Sequence, residues 1–432
     1  MIELIRRIWK MPDLRTKLLV VFGLLVVFRF AAAIPVPGID TSKVAGFIQS
    51  NQIFGLLNLF TGGSLESFSI VMLGVGPYIT ATIIFQLLTM IFPKLKKMYY
   101  EEGERGRQRF NQYARIITVP LAMLQGYSFL RLLESQQVIT LSDPLTVVTD
   151  IFVITAGTIL LMWLGELISE RGIGNGVSLI IFAGIISSLP TLVYRLLSQG
   201  DQISHIPEYI LFALVALIVI GGVVLINEGQ RQIPVSYAKR IRGMRVYGGV
   251  SSHLPLRVNS AGVIPIIFAL SILLFPGIIA QVLTVVNFGP AVKIAEAVNF
   301  AIQNQAIYGF LYFFFVFVFT YFYTSVVFDA KEVSQNLQKS GGFIPGIRPG
   351  PSTAVFISHI LNRITLAGAV FLGSIAVLPT VIQGIVPMVL PSATNVSNLT
   401  IGGTSVLIVV SVVIETFKQI GAQLSLHDYE NT

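Results

Sequence analysis

The sequence predicts an all-α polytopic membrane protein, with ten transmembrane helices arranged as two inverted five-helix halves. Three observations carry this. Of the 432 residues, 54% are hydrophobic and only 12% charged, about half the roughly 25% charge of a soluble domain, and the mean hydropathy is +0.78. Ten mostly apolar stretches recur along the chain, each near the roughly 20 residues that cross a hydrocarbon core. The basic residues gather on alternate connections between those stretches.

The spans are expected at 18–36, 71–92, 113–133, 147–168, 177–197, 208–227, 259–284, 306–328, 364–386 and 401–419. Ile34-Pro-Val-Pro follows the first apolar run where a small-residue cleavage site would stand, so the N-terminus is expected to be retained. The far side holds only Arg29, Lys43, Arg131, Arg195 and Lys293, and the other 24 of the 29 Lys and Arg residues lie on the near side. Positive charge marks cytoplasmic loops. Both termini are therefore expected in the cytoplasm, and the net charge of +8 reflects topology rather than nucleic-acid binding. Arg29, inside span 1, reads as a side chain snorkelling to the far interface.

Spans 2 and 7 both open on G-V-x-P, as Gly74-Val75-Gly76-Pro77 and Gly262-Val263-Ile264-Pro265, with Ile79 and Ile267 two residues past the proline. Spans 5 and 10 open on Gly176-Val177-Ser178 and Gly403-Thr404-Ser405, with Ile181 and Ile408 three residues past the serine. Both matches sit five spans apart. An odd offset reverses direction, which is an inverted repeat, dividing the chain at about residue 200 into an N-terminal half (1–200) and a C-terminal half (201–432). Such repeats place the working site near the midplane, where they meet. The four matched isoleucines then make that centre aliphatic rather than charged. Gly55–Ile70, too short to span and interrupted by Gly62-Gly63, reads as a short re-entrant or external helix, and irregular backbone at membrane depth must be buried in protein or line a cavity.

No catalytic constellation is present. There is no Cys, which removes thiol catalysis, Cys-ligated zinc and disulfides. Phosphate-loop, HExxH and nucleophile-elbow patterns are missing. His205, His253, His359 and His427 are scattered, and Glu166, Glu415 and Asp150 lie near span ends rather than in mid-span, which weakens ion-coupled transport. No metal or cofactor is expected. Two connections of some 30 residues, 228–258 and 329–363, exceed what topology requires. The first carries Arg240, Arg242 and Arg245 and is expected to form a projecting hairpin. The second presents Arg348 at the Gly346-Ile-Arg-Pro-Gly350 tip. Such loops suit an acidic partner or RNA phosphate.

The chain resembles the bacterial SecY family, pore-forming subunits of the Sec protein-translocation channel. The likeness runs over essentially the whole length. It rests on Ile34-Pro-Val-Pro-Gly-Ile-Asp40, Leu73-Gly-Val-Gly-Pro-Tyr-Ile-Thr80, Gly172-Ile-Gly-Asn-Gly176, Gln232-Ile-Pro-Val-Ser-Tyr-Ala-Lys-Arg240, His253-Leu-Pro-Leu-Arg-Val-Asn259, Gly346-Ile-Arg-Pro-Gly350 and Ile401-Gly-Gly-Thr-Ser405. The resemblance implies a non-enzymatic channel around a central pore that passes unfolded secretory chains across the cytoplasmic (inner) membrane and releases apolar segments sideways into lipid. It places a constriction ring on Val75, Ile79, Ile181, Ile185, Ile267 and Ile408. It places a plug in Gly55–Ile70, with Asn58, Leu59, Phe60, Thr61, Gly62, Gly63, Ser64, Leu65 and Glu66 as its residues. It implies a lateral gate where spans 2 and 3 face spans 7 and 8, with Thr80 and Phe275 at sensitive positions. It makes Arg240, Arg242, Arg245 and Arg348 the docking residues for the SecA motor ATPase and for ribosomal RNA. SecE and SecG are implied as companion subunits, and signal peptides, unfolded chains and lipid as further partners. The alternative is an inverted-repeat secondary transporter of small solutes, which would need a polar midplane site.

Overall fold

A computed structural model describes residues 11–430, apart from 51, 140–142, 172–173, 199–205, 238–239, 243–244, 248–250, 287–292, 294–296, 299, 302–303 and 390–402. Every expected span carries a helix. In chain order, and as spans 1 to 10, these are Pro12–Ala33, Gly76–Ile91, Gly103–Ser135, Pro144–Glu170, Gly176–Ser198, Ile206–Glu228, Ile264–Val286, Gln305–Val327, Pro351–Val389 and Gly403–Glu430. Among the described residues six helices are long and apolar enough to cross a membrane, and the bent pair Gly76–Ile91 and Pro93–Tyr100 adds a seventh. Shorter apolar helices cover Gly176–Thr191, Ala213–Glu228 and Ile264–Leu273.

Local chemistry sets the starts. Asp143 accepts from the Leu145 N–H at 3.2 Å ahead of Pro144. Asn175 accepts from Val177 and Ser178 at 3.1 and 3.3 Å, and Asn304 from Ala306 and Ile307 at 3.1 and 3.3 Å. These are N-caps, which satisfy amides the helix cannot. Outside the spans, Asp40 caps helix Thr41–Ser50 by accepting from both the Ser42 hydroxyl (2.6 Å) and amide (3.0 Å). Those bonds hold its carboxyl below the usual carboxylate range.

The expected ends need two corrections. Residues 71–75 form turns, so span 2 begins at Gly76 with Pro77 in its first turn, and it breaks at Phe92-Pro93 with a 112° bend. Proline cannot continue the hydrogen-bond ladder, which explains the break. Span 9 begins at Pro351 rather than 364, so part of the 329–363 connection is helix.

The expectation of an all-α chain also needs amending. The two long connections carry five short strands: β1 (Gln230–Tyr237), β2 (Arg240–Arg242), β3 (Arg245–Tyr247), β4 (Ser251–Arg257) and β5 (Gly342–Phe343). β1 pairs antiparallel with β4, from Gln230↔Arg257 to Ser236↔Ser251, and on its other edge with β5 through Ser236↔Phe343 and Tyr237↔Gly342. β2 and β3 form the hairpin tip. The alternation at Ile233 and Val235, both 2% exposed, is the period-2 signal of a strand with one buried face. Beneath the sheet, Ile233, Leu256, Ile344 and Ile357 are buried together. The two connections thus make one small domain with its own apolar core.

Span 7 packs against spans 2 and 3, span 10 against spans 5 and 6, and span 8 against span 9. Glycine permits the closest approaches. A Cβ on Gly157 of span 4 would sit 1.9 Å from the Ile70 carbonyl oxygen, and one on Gly176 would sit 1.8 Å from that of Gly165. Small residues let membrane helices and backbones meet this closely.

Candidate functional site

The G-V-x-P segments fold alike. Gly74 and Gly262 both take positive φ, +59° and +64°, which glycine adopts at no steric cost. In each case the helix begins two residues later, with proline in its first turn. Val75 and Val263, 5% and 3% exposed, accept from the amides of Ile79 and Ile267 at 3.0 and 3.3 Å. In spans 5 and 10, Ser178 and Ser405 are buried, and Ile181 and Ile408 follow a turn later at 3% and 0% exposure. Val75, Ile79, Ile181, Ile185 and Ile408 belong to one buried apolar cluster, and Ile267 packs against it half-buried. Spans 2, 5, 7 and 10 therefore bring all six residues named for the ring into a single aliphatic body. It offers no directional bonds.

The Gly55–Ile70 segment differs from the expected short helix in extent. The helix runs Gln52–Phe60, and 61–75 is a series of turns. Asn58 holds these turns together: its carbonyl accepts from the Gly63 amide at 2.8 Å, its Oδ1 from the Glu66 amide at 2.9 Å, and its Nδ2 donates to Glu66 Oε2 at 2.9 Å. Ser64 and Ser67 donate to the carbonyls of Thr61 (2.8 Å) and Ala32 (3.2 Å). The return path is tied to the exit of span 1. The Val36 amide donates to the Phe68 carbonyl at 2.9 Å and the Ile70 amide to Ile34 at 3.0 Å, with an isolated bridge Pro35↔Ser69. That is the structural task of the Ile34–Asp40 motif. Phe68, fully buried with φ +45°, stacks on Phe129 at 6.4 Å, a strained backbone held by its surroundings. Leu65 is buried in the same second cluster. Phe60 packs instead against the cluster that holds the six aliphatics. The Leu59 side chain lies outside the described residues.

Two contacts here were not foreseen. A Cβ on Gly184 of span 5 would lie 3.1 Å from Gly62 Cα and N, and one on Gly62 (φ +71°) would lie 2.6 Å from Gly184 Cα. The turn thus rests backbone to backbone on span 5, between Ile181 and Ile185 in sequence. A helix-interior glycine costs about 1 kcal/mol against alanine, and that unexplained cost was the signal available in the sequence. Arg29 does not simply snorkel: its Nη1 donates to the Gly62 carbonyl at 2.7 Å.

Thr80 is 6% exposed and bonds its own helix at the Gly76 carbonyl, 3.0 Å away. Phe275 lies on span 7 beside Pro276, and its side chain falls outside the described residues. Span 2 meets span 3 through Phe85 and Phe110, edge to face at 5.6 Å. Where spans 5, 6, 7 and 10 converge, a cavity of about 200 Å³ is lined by Asn175, Asn227, Asn259, Ser411, Glu415 and Lys418. There Asn259 Nδ2 donates to Asn227 Oδ1 at 2.7 Å, and Asn227 Nδ2 to Ser411 Oγ at 2.6 Å. The sequence gave no sign of this network, because its members lie on three different elements.

Arg348 is exposed in a turn whose glycines, Gly346 and Gly350, have φ +83° and +101°. Thr353 donates to the Arg348 carbonyl at 2.9 Å and Ser334 to that of Gly350 at 2.6 Å, so the tip is fixed. Arg240, Arg242 and Arg245 lie on the β2–β3 hairpin, and their side chains are outside the described residues.

A family model described as SecY matches residues 69–417. A protein translocase subunit SecY of Streptomyces coelicolor is 42% identical over 444 residues, covering 100% of this chain and 99% of that protein. The namesake of Mycobacterium leprae is 42% identical, covering 97% and 96%. Among solved structures, a protein conducting channel aligns with a TM-score of 0.62 at 19% identity, over 93% of this chain and 90% of the other. Sec61 in a canine ribosome–channel complex aligns at 0.59 and 20% over the same shares. These structural likenesses establish the fold.

The plug seat makes one prediction. Gly184→Val would press the added carbons into the backbone of Phe60 and Gly62. Amide hydrogen exchange over 61–69 in the purified protein should quicken by about tenfold or more, the equivalent of roughly 1–3 kcal/mol of overpacking. Unchanged exchange would show that the segment does not depend on this contact.

Proposed function

Because this chain belongs to the SecY family and is a non-enzymatic protein translocase subunit with the fold of a protein-conducting membrane channel, we propose that its six-residue aliphatic cluster is the constriction through which polypeptides pass. The observation that carries this is the convergence of Val75, Ile79, Ile181, Ile185, Ile267 and Ile408 from four spans into one apolar body. A chain in transit presents every kind of side chain. Fixed charges would bind some and reject others, whereas aliphatic groups can change rotamer around any of them. A narrow apolar throat also excludes water and ions. Nothing supports the small-solute transporter: the centre is aliphatic, and the relatives are translocase subunits along their whole length.

The remaining assignments complete the proposal. The matching geometry of Gly74 and Gly262 supports two inverted halves, 1–200 and 201–432. Residues 58–66 act as the plug, seated under the constriction by Gly184. Thr80 and Phe275 belong to the lateral gate, supported by the packing of span 7 against spans 2 and 3. Through that gate, signal peptides partition into lipid at about 0.3–0.6 kcal/mol per Leu-type residue. The basic bias places the protein in the cytoplasmic membrane with both termini inside. SecE and SecG are its companion subunits. Arg348 with Arg240, Arg242 and Arg245 docks SecA and the ribosome, supported by the rigid domain that presents them. The solved canine channel is bound to a ribosome, which suits the same role.

The decisive experiment stalls a secretory chain in the membrane and crosslinks it from photoreactive residues at positions 79 and 408. Adducts from both are expected, and a passive scaffold would give none. Ile408→Asn should leave an amide unpaired in the cluster, at about 1–3 kcal/mol, and raise resting ion leak and export of weak-signal substrates by about tenfold; wild-type levels of both would count against the ring. Arg348→Glu should slow SecA-driven export by about tenfold through loss of a charge-assisted contact, and a normal rate would remove Arg348 from the docking site.

A further inference from the structure

Arg29 is an arginine inside a membrane span, and it makes a long-range contact. Its Nη1 reaches across 33 positions to the Gly62 carbonyl at 2.7 Å. That carbonyl sits on the turn whose glycine has φ +71° and whose backbone lies against Gly184. The same Arg29 nitrogen would be 3.3 Å from a Cβ on Gly62, so a glycine is what lets the guanidinium come this close. Other ties run to the segment's return path: Ser67 to Ala32, Val36 to Phe68 and Ile70 to Ile34. They fix where the plug leaves and rejoins the wall. Arg29 bonds its tip.

We propose that Arg29 is the latch of the plug, a positioning residue that holds the closed state through the Gly62 carbonyl. The inference rests on the channel reading above and adds to it the residue that keeps the stopper seated. Arginine stays protonated at all working pH values, so the latch does not titrate. A charge-assisted hydrogen bond is roughly twice as strong as a neutral one, and a guanidinium released within a span loses a partner where water is scarce. Lifting the tip therefore carries a cost that no aliphatic contact supplies. The acceptor is a backbone carbonyl, so side-chain substitutions at the tip leave the latch in place unless they disturb the glycine turn itself.

The chain has no cysteine, so Thr61→Cys in the intact translocase complex gives a single thiol beside the latch. Its rate of labelling by a membrane-impermeant maleimide added from outside reports plug opening. Arg29→Gln should raise that rate, and the resting chloride leak of reconstituted vesicles, by about tenfold. Unchanged labelling would overturn the latch. The same substitution is then placed in a complex whose residues 58–66 are deleted. Acting through the plug, it should add no further leak there, as a double-mutant cycle requires. Equal increases in both backgrounds, or failure of Arg29→Gln to accumulate where no latch exists to lose, would assign Arg29 a merely structural role and overturn the proposal. The channel reading is tested separately by the deletion alone, which must leak with Arg29 intact.

Discussion

The contact on which this structure turns is the meeting of two backbones, at Gly62 and Gly184. Irregular chain within a membrane needs every polar group satisfied by protein. The turns at 61–75 meet that demand through Asn58, Ser64, Ser67 and the exit of span 1. They can then lie flat on span 5 only because neither glycine has a side chain. Displace that contact and Phe60 leaves the aliphatic cluster, while the turns lose the surface that excludes water from their amides. Sealing and foldability of the segment are thus one requirement.

The cytoplasmic side solves a different problem. Arginines that recognise phosphate or carboxylate work best when their position is fixed before the partner arrives. A flexible loop would hold Arg348 poorly. Here β1 joins the two connections edge to edge, four buried aliphatics underpin the sheet, and Thr353 and Ser334 bond the backbone of the tip. The small domain gives an exposed charge the rigidity of a core residue without burying the charge itself.

Much of this was legible in the sequence, and the reason is periodicity and charge. Span positions follow from apolar length, and sidedness from Lys and Arg. The four isoleucines of the mirrored motifs stand out because their spacing from proline or serine repeats. Three features were not legible, each for a physical reason. The start of span 2 at Gly76 depends on turns whose residues are as apolar as a helix. The β1–β5 pairing joins segments about a hundred residues apart and involves only two residue pairs, too few to leave a pattern. The role of Arg29 is set by an acceptor that is backbone, and backbone acceptors carry no sequence signature. An intramembrane arginine signals that a partner exists without saying which.

The mirrored motifs also show why the repeat is economical as a way to build a throat. A glycine at φ near +60° followed by a proline in the first helical turn fixes the entry angle of a helix without side-chain contacts, because both residues act on the backbone alone. Used twice, at Gly74–Pro77 and Gly262–Pro265, it delivers a valine and an isoleucine one turn apart to the same cluster from opposite halves. The asymmetry then comes from what the halves add. The N-terminal half supplies the turn that rests on Gly184 and the arginine that bonds it, and the C-terminal half supplies most of the sheet that faces partners. A shared backbone device sets the aperture, and unshared side chains decide when it is blocked and what approaches it.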